Sequence, residues 1–182
     1  MIKSTIQRPT EGFTGSEVIT AFRTALEKSP SYTESDIESL ANIFAKTPTD
    51  NFVVYDSEDL KRPIDQGDIL LSHESSSFYQ KVFPSVRLGE PAKNTVLQEQ
   101  DGGGITGDHR IVGINGTELS IINATYVPLD NVTEGRSMNC KIIDAKAPFV
   151  LTHQEHGNIA FPAGKYLART QINAKDLTIM LD

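Results

Sequence analysis

Residues 149–171 constrain the fold most, because strand-period residues run up to a turn and away from it. Val150 and Thr152, then Ile159 and Phe161, precede Pro162-Ala163-Gly164, and Tyr166, Ala168 and Thr170 follow it at the same period of two. Proline fixes one φ and glycine supplies the positive φ of a tight turn, so the stretch predicts a strand, a histidine-bearing corner and a hairpin. Such strands bury one face and need partners. The chain supplies candidates at Phe52–Tyr55, Gly67–Leu71, Ile111–Ile114, Leu119–Ile122, Ala124–Leu129 and Cys140–Ile143, with a last strand at Ala174–Asp182. Short strands bounded by turns predict a mainly β chain, α+β overall, built as an antiparallel β-barrel or sandwich. Asn115-Gly116 between apolar runs predicts a two-residue hairpin.

The N-terminal part has a different period. Thr14 with Glu17, and Thr33 with Asp36, read as capping boxes, each followed by an apolar face: Val18, Ile19, Phe22, Ala25 and Leu26, then Ile37, Leu40, Ala41 and Phe44. Ser29-Pro30 and Thr47-Pro48 stop them. The expected organisation is therefore an arm and two-helix hairpin over residues 1–50 and a β-rich domain over residues 51–182. Short helices need their apolar faces covered, so the hairpin is expected either to cap the β-rich part or to dock on a partner or a second copy.

The 182 residues carry a net charge of -7, which excludes a sequence-independent nucleic-acid binder relying on a basic surface. The single cysteine, Cys140, permits no intramolecular disulfide and sits in a strand-like run, as a buried inert thiol would. No apolar run is long enough to span a bilayer, and the start lacks the apolar core of a secretory signal, so the expected location is intracellular. Asp101-Gly102-Gly103-Gly104 lacks the Lys-Ser/Thr of a phosphate-binding loop and the spacing of a dinucleotide fingerprint. Ser75-Ser76-Ser77 has no nucleophile elbow, and Glu58-Asp59 is too charged a setting to tune one carboxyl against another. No catalytic residue is therefore expected.

Metal-capable side chains concentrate elsewhere. His109, His153 and His156, with Glu155 or Asp108, offer the imidazole and carboxylate donors suited to zinc, iron or manganese. Residues three apart on a strand face opposite ways, so His153 and His156 converge only if the chain turns between them, which Gly157 permits. Without an ion, the same residues would hold a loop by hydrogen bonds. No organic cofactor is expected; the candidate cofactor is a divalent metal.

Gly67-Asp68-Ile69-Leu70, Thr106-Gly107 with His109-Arg110, His153-Gln154-Glu155-His156, Pro162-Ala163-Gly164-Lys165-Tyr166 and Arg169-Thr170-Gln171 together resemble a family of small β-rich proteins of bacteriophages and bacterial genomes. That family has a Thr-Gly-His-x-His type motif and a closing His-x-Glu-His followed by Pro-x-Gly-x-Tyr. Asp108 with a single His109 departs from its middle motif, so a shared metal site would lose or exchange a ligand. The resemblance implies a phage origin, and host cytoplasm or virion as the location. The resulting expectation is a noncatalytic, virion-associated structural or binding protein acting through protein contacts or self-association of residues 1–50. The alternative is a metal-dependent cupin-like enzyme or small-ligand-binding protein.

Overall fold

The computed structural model describes residues 3–7, 15–47, 50–98, 109–115, 119–128, 136–153 and 157–170. In chain order the elements are β1 (Ser4–Gln7), α1 (Gly15–Leu26), α2 (Glu34–Lys46), β2 (Asn51–Val54), β3 (Ile64–Gln66), β4 (Ile69–His73), α3 (Ser77–Val82), β5 (Arg87–Pro91), β6 (Val96–Gln98), β7 (His109–Gly113), β8 (Leu119–Tyr126), β9 (Met138–Ala145), β10 (Phe149–His153), β11 (Gly157–Phe161) and β12 (Gly164–Thr170). The strands form two six-stranded sheets, β1-β2-β11-β10-β7-β6 and β3-β4-β12-β9-β8-β5. The architecture is a sandwich, not a closed barrel, with the expected helical hairpin. No helix among the described residues is long and apolar enough to cross a membrane.

Strand alternation builds the layers. Ile111, Phe149, Leu151, Ile159 and Phe161 of the first sheet face Ile69, Leu71, Ile121, Ile143 and Tyr166 of the second, forming the inter-sheet core. Phe149, Phe161 and Tyr166 make a ring cluster with centroids 5.1 to 5.7 Å apart. The Tyr166 hydroxyl donates to the Pro162 carbonyl at 2.6 Å, so this buried ring keeps its polar tip satisfied.

The opposite face of the first sheet belongs to the helices. Val18, Phe22 and Leu26 of α1, with Ile37, Leu40, Ala41 and Phe44 of α2, pack on Phe52, Val54, Val150 and Ala160. Phe22, Phe44 and Phe52 meet with ring centroids 5.3 to 5.9 Å apart. α2 starts with the expected capping box: the Thr33 hydroxyl accepts the Asp36 N–H at 3.1 Å and the Asp36 carboxylate accepts the Thr33 N–H at 2.9 Å. Its other predicted counterpart, at Thr14, lies outside the described residues. β1 pairs antiparallel with β2, so the N-terminal arm supplies an edge strand of the first sheet. Buried Tyr79 and Val82 of α3 pack on Ala124, Cys140, Ile142 and Leu167 on the outside of the second sheet.

Two predicted hairpins are instead crossings between sheets. β7 belongs to the first sheet and β8 to the second, so the two do not pair as the predicted hairpin, and Gly116 lies outside the described residues. Asn115 does take the positive φ expected of it, 55°. Its side chain serves the helices: Nδ2 donates to Asp36 Oδ1 at 2.9 Å, and Oδ1 accepts the Ser39 hydroxyl. Likewise β11 and β12 lie in different sheets, and Pro162-Ala163 is the corner between them. Gly164 is required there by φ 146° and by crowding, since a Cβ would sit 2.6 Å from His73 Nε2. The hairpin is β10–β11, with His153 opposite Gly157, so the chain reverses where the histidine corner was expected. Turn chemistry marks where a chain bends; inter-sheet packing of Phe161 and Tyr166 decides to which sheet it goes. A two-residue hairpin turn that the sequence reading took for the start of a strand is Gly67-Asp68, joining β3 to β4 with Gln66 opposite Ile69 and Gly67 at φ 64°. The predicted strand at 174–182 lies outside the described residues.

Candidate functional site

Four polar side chains are buried together at one end of the inter-sheet core, where an apolar filling would cost less. His109 opens β7 and is 0% exposed; His153 ends β10 and is 4% exposed. Their rings lie 4.2 Å apart, centroid to centroid, tilted by 32°. Gln66, the last residue of β3, and Asp68, in the turn that follows, are 3% and 2% exposed.

Hydrogen bonds fix how these groups face each other. His109 Nε2 is 2.7 Å from the Gln66 carbonyl oxygen. A carbonyl only accepts, so Nε2 carries the hydrogen and donates. In the neutral ring, the lone pair is then on Nδ1, which lies 3.9 Å from Asp68 Oδ1. The Gln66 amide nitrogen donates to the Gly157 carbonyl at 3.0 Å and to the Leu151 carbonyl at 3.4 Å, tying the edge of the second sheet to the β10–β11 hairpin of the first. Gln66 Oε1 is buried without a hydrogen-bond partner among the described residues. The turn at Gly67-Asp68 and the hairpin at His153–Gly157 thus bring two sheets' polar groups to one place.

Of the predicted metal ligands, His109 and His153 come together. His156, Glu155 and Asp108 lie outside the described residues, although the reversal needed for His153 and His156 to converge does fall between His153 and Gly157. Among the described residues no group of three His, Cys, Asp or Glu side chains is arranged to hold an ion. Sequence reasoning missed Gln66 and Asp68 as partners of the histidines. Gly67-Asp68 carried turn chemistry, but nothing local marked Gln66 as buried.

A cleft of about 400 Å³ opens at the same end, lined by Ile69, Leu97, Asn123, Asn139, Lys141 and Arg169 among others. Ile69 directly follows Asp68, and Leu97 precedes the residue paired with His109, so the cleft is next to the buried polar group, although none of those four polar residues lines it. Lys141 Nζ donates to the Val96 carbonyl at 2.9 Å, joining β9 to β6 across it.

The remaining candidates resolve into structure. Burial pushes the Cys140 thiol up to about 12, so it is no thiolate nucleophile at neutral pH. Ser76 caps α3 by accepting the Tyr79 N–H at 3.2 Å. His73 Nδ1 accepts the Ser75 N–H at 3.1 Å, with the Ser75 hydroxyl 2.8 Å from the same atom; this closes a tight turn at the far end of β4. Burial lowers the His73 pKa, partly opposed by Glu74. Asp59 accepts the Asp56 N–H at 2.8 Å, a turn contact and not an acid–base pair. The chain matches no family model, no curated protein and no solved structure.

Proposed function

We propose that the protein is a noncatalytic binding protein that holds a small molecule at the histidine end of its sandwich. One observation carries this reading: His109, His153, Gln66 and Asp68 are buried together in an otherwise apolar inter-sheet core, beside an open cleft. Burying polar groups opposes stability, and their concentration next to a cavity is the usual mark of a ligand site. Mapping by NMR chemical shifts against a panel of small organic molecules tests it. Perturbations clustered on Ile69, Leu97, Ala168 and His109 are expected; perturbations confined to the outer faces of α1 and α2, or none anywhere, would overturn it.

The close imidazole pair favours a second reading, in which His109 and His153 bind a divalent metal with His156 and with Glu155 or Asp108. Elemental analysis of protein prepared without added metal, and the response of its melting temperature to chelator, separate the two. Among the described part of residues 1–50, a phage structural protein would dock through β1 or the polar outer faces of the helices, because Val18, Phe22, Leu40 and Phe44 are covered by the first sheet. Sizing the intact protein tests that association.

A further inference from the structure

We infer that the cleft is a subsite for a small organic acid, with its carboxylate at Lys141, Asn123 and Asn139 and its carbon body against Ile69 and Leu97. The inference rests on the small-molecule reading above and adds the ligand's charge and class.

Charge is the first argument. The chain has a net charge of -7, yet the described residues lining the cleft include Lys141 and no carboxylate. Where the space continues past Leu97, Asn123 and Lys141, it adds Lys93 and Glu90, one charge of each sign, so the excess of positive charge persists. Asn123 and Asn139 supply amide donors that can share a carboxylate, and neither carries a charge to repel it.

Geometry is the second. Asn123 is opposite Lys141 across β8 and β9, and Asn139 is two residues from Lys141 on β9, so all three side chains take the face of the second sheet on which Ile121 and Ile143 meet the first sheet. Arg169 takes the other face, with Leu167, and its guanidinium carbon lies 4.2 Å from the Phe78 ring centroid. The cation and the two amides are therefore cross-strand and same-strand neighbours, placed to share one carboxylate.

Size and lining select an organic acid over a bare ion. A space of about 400 Å³ walled in part by Ile69, Leu97, Ala124 and Ala168 is larger and more apolar than inorganic phosphate would fill.

The test is calorimetric titration of the intact protein with 3-phenylpropionate, with its neutral amide and with inorganic phosphate. The acid is expected to bind about tenfold more tightly than the amide, a difference of about 1.4 kcal/mol, and to weaken as salt is raised. Lys141→Met is expected to weaken the acid about tenfold, and Asn123→Asp, which keeps the shape and adds a negative charge, by at least as much. Both variants should melt within a few degrees of the parent, and Asn123→Asp keeps the test decisive if removing Lys141 disturbs the fold. Equal binding of acid and amide, or phosphate binding as tightly as the acid, would overturn the inference while leaving the small-molecule reading standing. Failure of all three probes overturns the inference, and failure of the wider neutral panel as well overturns both.

Discussion

The two faces of the first sheet teach different lessons about buried space. Outside, Phe22, Phe44, Phe52 and Val150 form an apolar seal under the helices, closed by ring contacts and by Asn115. Inside, at the end marked by His109 and His153, the core accepts two imidazoles, an amide and a carboxylate and lies against an open cleft. One face is sealed by apolar contacts; the other buries polar groups at the end where we propose that a ligand binds.

The largest effects should come from breaking the seal. Removing residues 1–48 strips the cover from Phe52, Val54, Val150 and Ala160, all within 1% of fully buried, and deletes β1 from the sheet edge. A chain without a cooperative melt is expected by circular dichroism; a sharp transition would establish residues 51–182 as an independent unit. In the intact chain Phe44→Ala should cost about 3 to 5 kcal/mol in chemical denaturation, through lost burial and the cavity left between Phe22 and Phe52.

At the polar end the same kind of truncation should cost less. His109→Ala leaves the Gln66 carbonyl without its donor, a loss of about 1 to 3 kcal/mol in the same denaturation experiment. A cost equal to that of Phe44→Ala would erase the contrast between the faces. Asn115 probes the edge of the seal: Asn115→Ala should cost about 1 to 2 kcal/mol from lost hydrogen bonds to α2 and strain at φ 55°, and Asn115→Gly less, because glycine tolerates that φ.

The smallest expected effect uses a histidine away from both regions. Burial lowers the folded-state pKa of His73 below its unfolded value near 6.5. Above that value both states leave the ring neutral; as pH falls through it toward the folded pKa, the unfolded chain binds more protons and stability declines. His73→Gln should flatten the melting temperature between about pH 7 and pH 5 relative to the parent. Identical pH profiles would show that His73 contributes nothing to this dependence.

The legible parts of this fold were those encoded by local pattern. Thr33 with Asp36 announced α2, and the alternation of Tyr166, Ala168 and Thr170 announced β12. β5 was not legible, because Arg87–Pro91 is an exposed edge with no buried alternation and ends in proline. α3 hid as an apolar pair of pairs, Phe78-Tyr79 and Val82-Phe83, too short for a helical period to stand out. At Asn115 and Pro162–Gly164 the sequence located the bends, but the destination sheet is a property of packing between distant strands. The site was half legible for the same reason: His109 and His153 were recognisable by type, whereas Gln66 and Asp68 join them only through the β3–β4 turn.

The parallel pairing of β2 with β11, Phe52 opposite Asn158, has a consequence for vectorial synthesis. On the ribosome α1, α2 and β2 emerge early, but the strands bearing Val150 and Ala160 that complete the floor beneath them come only after most of the described chain has been made. Such a long-range pairing closes late, since the loop it bridges carries a large entropic cost and few earlier contacts offset it. The nascent chain therefore passes through a stage in which part of the apolar side of the helices is without its cover and can associate with other chains. Substitutions that slow formation of β10 and β11 should raise aggregation during synthesis even where the finished protein is as stable as the parent.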